Sequence, residues 1–265
     1  MFRKLLEQRF PNAASPHAPL TMSHDKGATD TPLIEATIGD YFDAVVARHP
    51  HKTAIISRHQ QLSLSYQQLQ QKANQLASAM IAMGLEKGDR VGIWSHNNVE
   101  WLLMQLATAK IGVILVNINP AYRIFELQYA LNKVDCKVLV LMRHFKLSDY
   151  AEMIREMAPE IYHQSFENLE LISLPNLKRI VWIDEPDNTE QFGYMQAFSD
   201  WLNTGDANDP KVAERQQKLN ANNPINIQFT SGTTGAPKGT TLTHKNLINN
   251  AYHSGQTLCL TPDDI

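Results

Sequence analysis

Apolar positions along the chain follow two patterns, a helical spacing of about three to four residues and short continuous runs. The clearest helical spacing begins at Ser65 and Gln68, which together match a capping box. Its apolar stripe consists of Leu69, Ala73, Leu76 and Met80. Gly84 follows at the position where helices commonly end. These features predict a helix between Ser65 and Gly84.

Continuous apolar runs predict strands, and they alternate with further helical patterns. The runs cover residues 91–94, 113–116, 138–141 and 180–183. The helical patterns lie between them, at residues 101–109, 124–134 and 150–157. Fully apolar strands are expected where helices cover both faces of a sheet. The alternation of strand and helix predicts an α/β fold with largely parallel sheets flanked by helices.

The first 33 residues differ from the remainder of the chain. They are rich in Pro, Ser, Thr and His, and we expect poor order there. The amino terminus is basic but lacks the apolar stretch typical of a secretory signal. Four apolar residues between Phe2 and Phe10 share one helical face, so a mitochondrial targeting segment stays open beside a frayed starter helix. The predicted organisation is a polar leader over residues 1–33 and a folded portion over residues 34–265.

Composition and charge narrow the classes of function. Hydrophobic residues make up 43% of the chain and charged residues 19%, which excludes a chain that is disordered throughout. The formal net charge of −3 provides no general attraction to nucleic acids or anionic membranes. The apolar run at residues 111–116 is far shorter than the roughly 18 residues of a membrane-spanning helix. We therefore expect no nucleic-acid partner and no transmembrane segment.

The cysteines and histidines give indications about the cellular compartment of the protein and about metal binding. Cys136 and Cys259 cannot form the disulfide framework of a small secreted protein, which favours a reducing compartment. The cytoplasm is the expected location, with the mitochondrial matrix as the alternative. Neither cysteine has a neighbouring histidine that would support a thiolate nucleophile. The ten histidines show no spacing typical of a metal site, so no metal-binding residue is predicted.

The most informative segment covers residues 230–239, directly after an alternating strand pattern at residues 225–229. Nine of its ten residues are small, hydroxylic, glycine or proline. Consecutive backbone N–H groups in such a loop form a concave site for anionic oxygens, and Lys238 adds a positive charge suited to phosphate. Pro237 and Gly239 flank Lys238, which excludes a Walker A motif. The composition predicts a cradle for a polyphosphate, and an unliganded hairpin turn is the alternative.

Residues 230–239 resemble the phosphate-loop signature of the adenylate-forming, acyl-activating enzymes. Residues 64–69 and residues 109–120 resemble the first and second motifs of the same superfamily. The stretches 116–131 and 225–229 are most similar to those of fatty and medium-chain acyl-CoA synthetases. The resemblance extends over nearly all of the folded portion. It implies that this portion is the N-terminal part of an AMP-binding (adenylation) domain.

The resemblance implies a two-step ligation that uses ATP, Mg²⁺ and coenzyme A. A fatty-acid carboxylate first attacks the α-phosphate of ATP and releases pyrophosphate, and the CoA thiol then displaces AMP from the acyl-AMP. The loop would hold the β- and γ-phosphates while charge builds on the departing pyrophosphate. By position, the implied phosphate-binding residues are Thr230, Ser231, Gly232, Thr233, Thr234, Gly235 and Lys238. No catalytic residue is assigned within the chain.

The resemblance also implies that several family motifs lie beyond Ile265. They include the adenine-contacting segment, the ribose-binding aspartate and a small C-terminal domain with a catalytic lysine. We therefore expect that the 265-residue chain alone is inactive and prone to self-association through uncovered sheet surface. The alternative hypothesis is a non-catalytic module that binds a nucleotide or an acyl group.

Three further polar residues near these motifs are weaker candidates for a site. His244 lies six residues after Lys238, and we interpret it as a helix-start residue with a surface imidazole rather than as a substrate contact. Tyr122 and Arg123 follow a proline-bounded turn, and we interpret both as structural.

Overall fold

A seven-stranded sheet runs through the computed structural model of this chain, which describes residues 31–184, 191–230, 237–261 and 263–264. The leader at residues 1–30 lies outside the described part, so its expected lack of order stays a prediction. From Ile34 onward the described residues belong to one compact unit. The strands are β1 (Thr53–Ser57), β2 (Leu62–Ser65), β3 (Arg90–Trp94), β4 (Ile114–Asn117), β5 (Val138–Met142), β6 (His144–Phe145), β7 (Ser148–Asp149), β8 (Arg179–Ile183), β9 (Gln196–Ala197), β10 (Pro224–Thr230) and β11 (Lys238–Thr243).

Helices connect these strands, and two of them show clearly why they begin or end where they do. The helices are α1 (Ile38–Arg48), α2 (Tyr66–Ala82), α3 (Val99–Ile111), α4 (Ile124–Lys133), α5 (Tyr150–Met157), α6 (Phe198–Asn203), α7 (Pro210–Gln216) and α8 (His244–Thr257). α2 begins with the capping box formed by Ser65 and Gln68, as the sequence predicts. α3 ends at Gly112, whose φ of 77° lies in the left-handed region that glycine adopts most readily.

The order of the strands confirms the predicted fold class. Neighbours in the sheet are β11-β10-β4-β3-β5-β8-β9. Adjacent strands are parallel except β10 and β11, which form an antiparallel pair at one edge. β1 with β2 and β6 with β7 form two separate antiparallel hairpins. The architecture is therefore an α/β fold around a largely parallel sheet.

Side chains of the central strands alternate between two apolar clusters on opposite faces of the sheet. In β4, Val116 belongs to one cluster and Leu115 to the other. Residues of α4 and α5 complete the first cluster, and residues of α2 and α3 complete the second. Each cluster contains a buried tryptophan, Trp94 in the first and Trp201 in the second. Burial on both faces is the reason that the central strands are uninterrupted apolar runs.

An ion pair between a buried lysine and a half-buried aspartate lies where four helices meet. Lys110, near the end of α3, is 2% exposed, and its Nζ lies 2.6 Å from Oδ1 of Asp43 in α1. The same Nζ donates to Gln216 of α7 at 3.2 Å. Gln70 of α2 donates to Asp43 at 2.6 Å. A single ammonium–carboxylate pair thus links α1, α2, α3 and α7.

The start of α8 is fixed to the segment that leads into α1. His244 is the first residue of α8, and its Nδ1 accepts a hydrogen bond from the backbone N–H of Ile38 at 3.1 Å. Asn249 accepts from the backbone N–H of Ile34 at 2.8 Å and donates to the carbonyl of Ile34 at 3.0 Å. Because α8 follows β11 directly, these contacts also fix the strand on which the predicted phosphate loop ends.

The interpretation of His244 as a surface residue is wrong. The residue begins a helix, as the sequence indicates, but its imidazole is fully buried. Burial lowers the pKa of His244 to about 4; the nearby Asp40 carboxylate opposes this shift and Lys87 adds to it. The acceptor role of Nδ1 requires that this nitrogen carry no proton. The sequence could not show the burial, because the groups that cover the ring lie in a distant part of the chain.

We expect the two halves of this ion pair to respond unequally to substitution. Asp43→Ala should lower the free energy of unfolding by about 3 kcal/mol, because it leaves the Lys110 ammonium buried without its carboxylate. Lys110→Met removes the charge, keeps the aliphatic volume, and should cost clearly less. Urea unfolding measures both losses. Glu86→Gln, which removes the charge of an exposed partner of Arg215, is the control and should cost under about 1 kcal/mol. Equal losses for Asp43→Ala and Lys110→Met would contradict this account.

We expect His244 to make the protein less stable as the pH falls from about 6.5 to about 4. In this window the unfolded imidazole binds a proton that the buried ring does not, whereas above pH 6.5 the contribution of the neutral ring is fully present. The slope is at most about 1.4 kcal/mol per pH unit. Urea unfolding across this range should show that His244→Gln weakens the pH dependence, while His253→Gln, at an exposed position of α8, leaves it unchanged. An identical slope in both variants would argue against a role for His244.

Candidate functional site

Two antiparallel strands carry the ends of the predicted phosphate loop. β10 ends at Thr230, β11 begins at Lys238, and these two residues are paired across the strands. The hydroxyl of Thr230 lies 3.5 Å from the carbonyl oxygen of Lys238. Both residues are exposed. A hydroxyl and an ammonium group therefore stand at the base of the loop, where a ligand can reach them.

The structure describes two of the seven residues assigned to the phosphate clamp, Thr230 and Lys238, and brings them together. The other five, Ser231, Gly232, Thr233, Thr234 and Gly235, lie outside the described residues, so their assignment stays a prediction. The strand pairing on either side is that of a hairpin. This pairing fits both a phosphate cradle and the unliganded turn that the sequence left as an alternative.

A cavity of about 700 Å³ lies at the carboxyl edge of the sheet. β3, β4 and β10 run parallel, so their carboxyl ends meet at this edge, where ligands bind in open α/β sheets. Its lining comes from strand ends and the turns after them, including Ser95, His96, Asn97, Ile118, Asn119, Pro120, Gln228 and Phe229. The volume is within the range of about 300–1,000 Å³ found for small-molecule sites. The predicted phosphate loop follows β10 at the same edge.

The turn after β4 is held in place by two aromatic residues. Trp94 Nε1 donates to the carbonyl of Asn119 at 3.2 Å, and the Tyr150 hydroxyl donates to the carbonyl of Pro120 at 2.5 Å. The two rings are stacked, with their centroids 3.5 Å apart. Burial raises the pKa of Tyr150, so its hydroxyl keeps the proton that it donates. The wall of the cavity at this turn is therefore preorganised.

Tyr122 and Arg123, which follow this turn, make contacts within the protein. The side chain of Tyr122 packs against the core cluster that contains Trp94. The guanidinium of Arg123 donates to the hydroxyl of Ser148 in β7 at 2.8 Å, and its backbone N–H donates to Glu126 at 3.1 Å. These contacts agree with the structural role that the sequence suggests for both residues.

Cys136 is a buried, free cysteine. Burial raises the pKa of Cys136 to about 12, so this cysteine is a protonated thiol and not a nucleophile. Within the described ranges, no group of three or more His, Cys, Asp or Glu side chains is placed to hold a metal ion. No helix in the described part of the chain is both long and apolar enough to cross a membrane.

Sequence reasoning missed several residues that line the cavity. Ser95, His96 and Asn97 directly follow β3, and Gln228 lies on β10 beside the loop. A signal was available for the first three, because polar residues that follow an apolar parallel strand lie at the ligand-binding edge of the sheet. No comparable signal existed for Gln228, since its place depends on how β10 pairs with β4.

Known proteins are similar to this chain in sequence. Residues 42–265 match the family described as AMP-binding enzyme. The chain is 38% identical over 239 residues to the mouse (Mus musculus) protein named medium-chain acyl-CoA ligase ACSF2, mitochondrial. The match covers 89% of this chain but only 38% of the mouse protein, so the chain spans well under half the length of this relative.

Solved structures show the same fold. A long-chain-fatty-acid-CoA ligase (FadD1) from Archaeoglobus fulgidus superposes with a TM-score of 0.68 at 22% identity, covering 92% of this chain and 43% of that chain. The anthranilate CoA ligase AuaEII in complex with anthranoyl-AMP gives a TM-score of 0.62 at 24% identity, covering 83% of this chain and 37% of that chain. The family match includes the paired strands that carry Thr230 and Lys238, and the chain belongs to the AMP-binding enzyme family.

Proposed function

We propose that the protein activates a medium- or long-chain fatty acid with ATP and transfers the acyl group to coenzyme A. The observation that carries the proposal is the position of Thr230 and Lys238 at paired strand ends, beside the cavity at the carboxyl edge of the sheet. Both residues lie within residues 42–265, which match the AMP-binding enzyme family. The mouse relative is named a medium-chain acyl-CoA ligase, and AuaEII was solved with an acyl-AMP, and both support activation through an acyl-AMP.

The chemistry requires a leaving group, because a free carboxylate is a poor acyl electrophile. In the first step a carboxylate oxygen bonds to the α-phosphorus of ATP, and the bond from that phosphorus to the β-phosphate oxygen breaks, which releases pyrophosphate. In the second step the CoA sulfur loses its proton and bonds to the acyl carbon, and AMP departs. Both steps require that the reacting atoms be held in line. In this proposal the residues that line the cavity hold them in that geometry.

Lys238 and Thr230 have distinct tasks in this proposal. The Lys238 ammonium offsets the negative charge that develops on the departing pyrophosphate. The Thr230 hydroxyl, at the other end of the loop, orients a phosphate oxygen through a hydrogen bond. Mg²⁺ arrives with ATP, since it is usually held by phosphate oxygens, water and one or two carboxylates. We assign it no ligand in this chain.

We retain the cytoplasm as the proposed location and the mitochondrial matrix as the alternative. The name of the mouse relative includes the word mitochondrial, which supports the alternative. Fractionation of cells that express the full-length protein distinguishes the two.

The proposed function is tested by pyrophosphate release from ATP with a panel of carboxylic acids and the full-length protein. We expect release with aliphatic acids of medium or long chain, and a thioester when CoA is added. Amino acids should give none. Activity confined to amino acids would contradict the assignment. ATP binding without pyrophosphate release for any acid would favour the non-catalytic module instead.

We expect Lys238→Ala to slow adenylation by about 10²–10³-fold, because charge on the departing pyrophosphate loses its partner. Thioester formation from supplied acyl-AMP should change little, since no pyrophosphate leaves in that step. Quenched-flow measurement of the two half-reactions separates these effects. Lys218→Ala, at an exposed lysine on the connection before β10, is the control and should alter neither rate. Equal slowing of both half-reactions in Lys238→Ala would show that Lys238 has a different task.

A further inference from the structure

We propose that His96 is the base that takes the proton from the coenzyme A thiol in the second step of the reaction. The inference rests on the proposed function and assigns one of its proton transfers to a residue of this chain. Two observations carry it. Among the described residues that line the carboxyl-edge cavity, His96 alone has a side chain that exchanges a proton near neutral pH. A backbone contact also determines which of its ring nitrogens is left to accept one.

The lining of the carboxyl-edge cavity offers few groups that can accept a proton. Its described residues include no carboxylate, lysine, arginine or cysteine. The amide side chains, the Ser95 hydroxyl and the Trp101 indole do not take up protons near neutral pH. An imidazole does, because histidine ordinarily changes its charge between about pH 5 and pH 8. His96 is therefore the one group in the described lining that is suited to general-base catalysis.

The turn between β3 and α3 carries His96 on an ordered backbone. β3 ends at Trp94, so His96 lies just beyond the carboxyl end of a central strand. The buried hydroxyl of Ser95 donates to the carbonyl of His96 at 2.9 Å. Nδ2 of Asn98 donates to the same hydroxyl at 2.9 Å, and Oδ1 of Asn98 accepts from the backbone N–H of Trp101 in α3 at 2.8 Å. The turn is thus fixed to both elements that it connects.

The position of the proton on the His96 ring follows from a single contact. Nδ1 lies 3.0 Å from the carbonyl oxygen of Asn97. A carbonyl oxygen can only accept, so Nδ1 carries the hydrogen and the neutral ring has its lone pair on Nε2. Nε2 has no hydrogen-bond partner among the described residues, and it is not among their buried unpaired atoms. The ring is half-buried, and its accepting nitrogen is accessible to a ligand.

Two other titratable groups surround His96. From the turn between β1 and β2, the ring of His59 packs edge to face against the His96 ring, with the centroids 5.6 Å apart. From α3, Glu100 contributes a carboxylate, which accepts a hydrogen bond from Nε2 of Gln60 at 2.7 Å. Neither His59 nor Glu100 lines the cavity. Of these three groups, His96 is the one that meets a ligand in this space.

The second step of the proposed reaction needs a base, because a free thiol is largely protonated at neutral pH and the thiolate is the nucleophile. Nε2 of neutral His96 takes the S–H proton as the sulfur bonds to the acyl carbon. The bond from that carbon to the AMP oxygen breaks, and AMP leaves with the electron pair. The imidazolium then returns its proton to water. Gln228, two residues before Thr230, lines the same cavity, so His96 and the strand that leads to the phosphate loop border one space.

The test follows thioester formation from a supplied aliphatic acyl-AMP and saturating CoA, with the full-length protein, from about pH 6 to about pH 9. We expect His96→Gln to be slower than the wild type by about 10²-fold near neutral pH. The difference should shrink toward the alkaline end, where the thiol ionises without a base. A purely structural defect would slow the step by the same factor at every pH.

Two controls separate the loss of a base from damage to the fold. Pyrophosphate release in the first step should be nearly unchanged in His96→Gln, because no thiol takes part in it. Added imidazole should restore part of the rate of thioester formation in His96→Ala near neutral pH, since it replaces the missing base. His253→Gln, at an exposed position of α8, should keep the pH profile of the wild type.

The outcomes distinguish this inference from the proposed function. An unchanged second step in His96→Gln, or an equal slowing at every pH without rescue by imidazole, would overturn the inference while the proposed function stands. A wild-type protein that releases no pyrophosphate with any aliphatic acid and makes no thioester from acyl-AMP would overturn the proposed function, and the inference with it. A deficit confined to neutral and acidic pH, with rescue by imidazole, would support the inference.

Discussion

The pairing of β10 with β4 is the interaction on which the other features of the site depend. Asn226 lies opposite Leu115, and Gln228 lies opposite Asn117. Because side chains alternate along a strand, a shift of one residue would turn Gln228 away from the cavity at the carboxyl edge. The same register sets where β10 ends, and therefore where Thr230 lies relative to the ends of β3 and β4. One run of backbone hydrogen bonds thus positions both Thr230 and Gln228.

A second support comes from α8 and acts on the outer strand of the hairpin. In the sheet that the described residues form, β11 lies at an edge and has a strand partner on one side only. The contacts of His244 and Asn249 with the segment before α1 hold the helix that follows β11. Lys238 is the first residue of β11. This strand is held by its pairing with β10 and, at its far end, by helix α8. The phosphate-binding role that we propose for Lys238 requires preorganisation of this kind.

The sequence predicted those features that arise within a short stretch of chain. The central strands were visible because burial on both faces requires continuous apolar residues, and α2 was visible through its capping box at Ser65. The phosphate-binding chemistry proposed for residues 230–239 could be inferred locally, because their glycines, hydroxyls and lysine lie within one short segment, and it stays a prediction. The burial of His244 could not be inferred locally, because its partner Ile38 is 206 residues away in the sequence. The hydrogen bond from the Asn226 amide to Gln105 was hidden for the same reason, since the two residues are 121 apart in the sequence.

The distance in sequence between β4 and β10 also determines when the site can form. Asn117 and Asn226 are separated by 109 residues, and closing so long a loop is entropically unfavourable and slow. β3 pairs with β4 and β5 through much shorter connections, so this part of the sheet can assemble first. During synthesis, β4 therefore emerges from the ribosome with an unpaired edge that stays open until β10 has been translated. In that interval the open edge of β4 can pair with a strand of another chain. A chaperone that covers this edge would prevent such pairing.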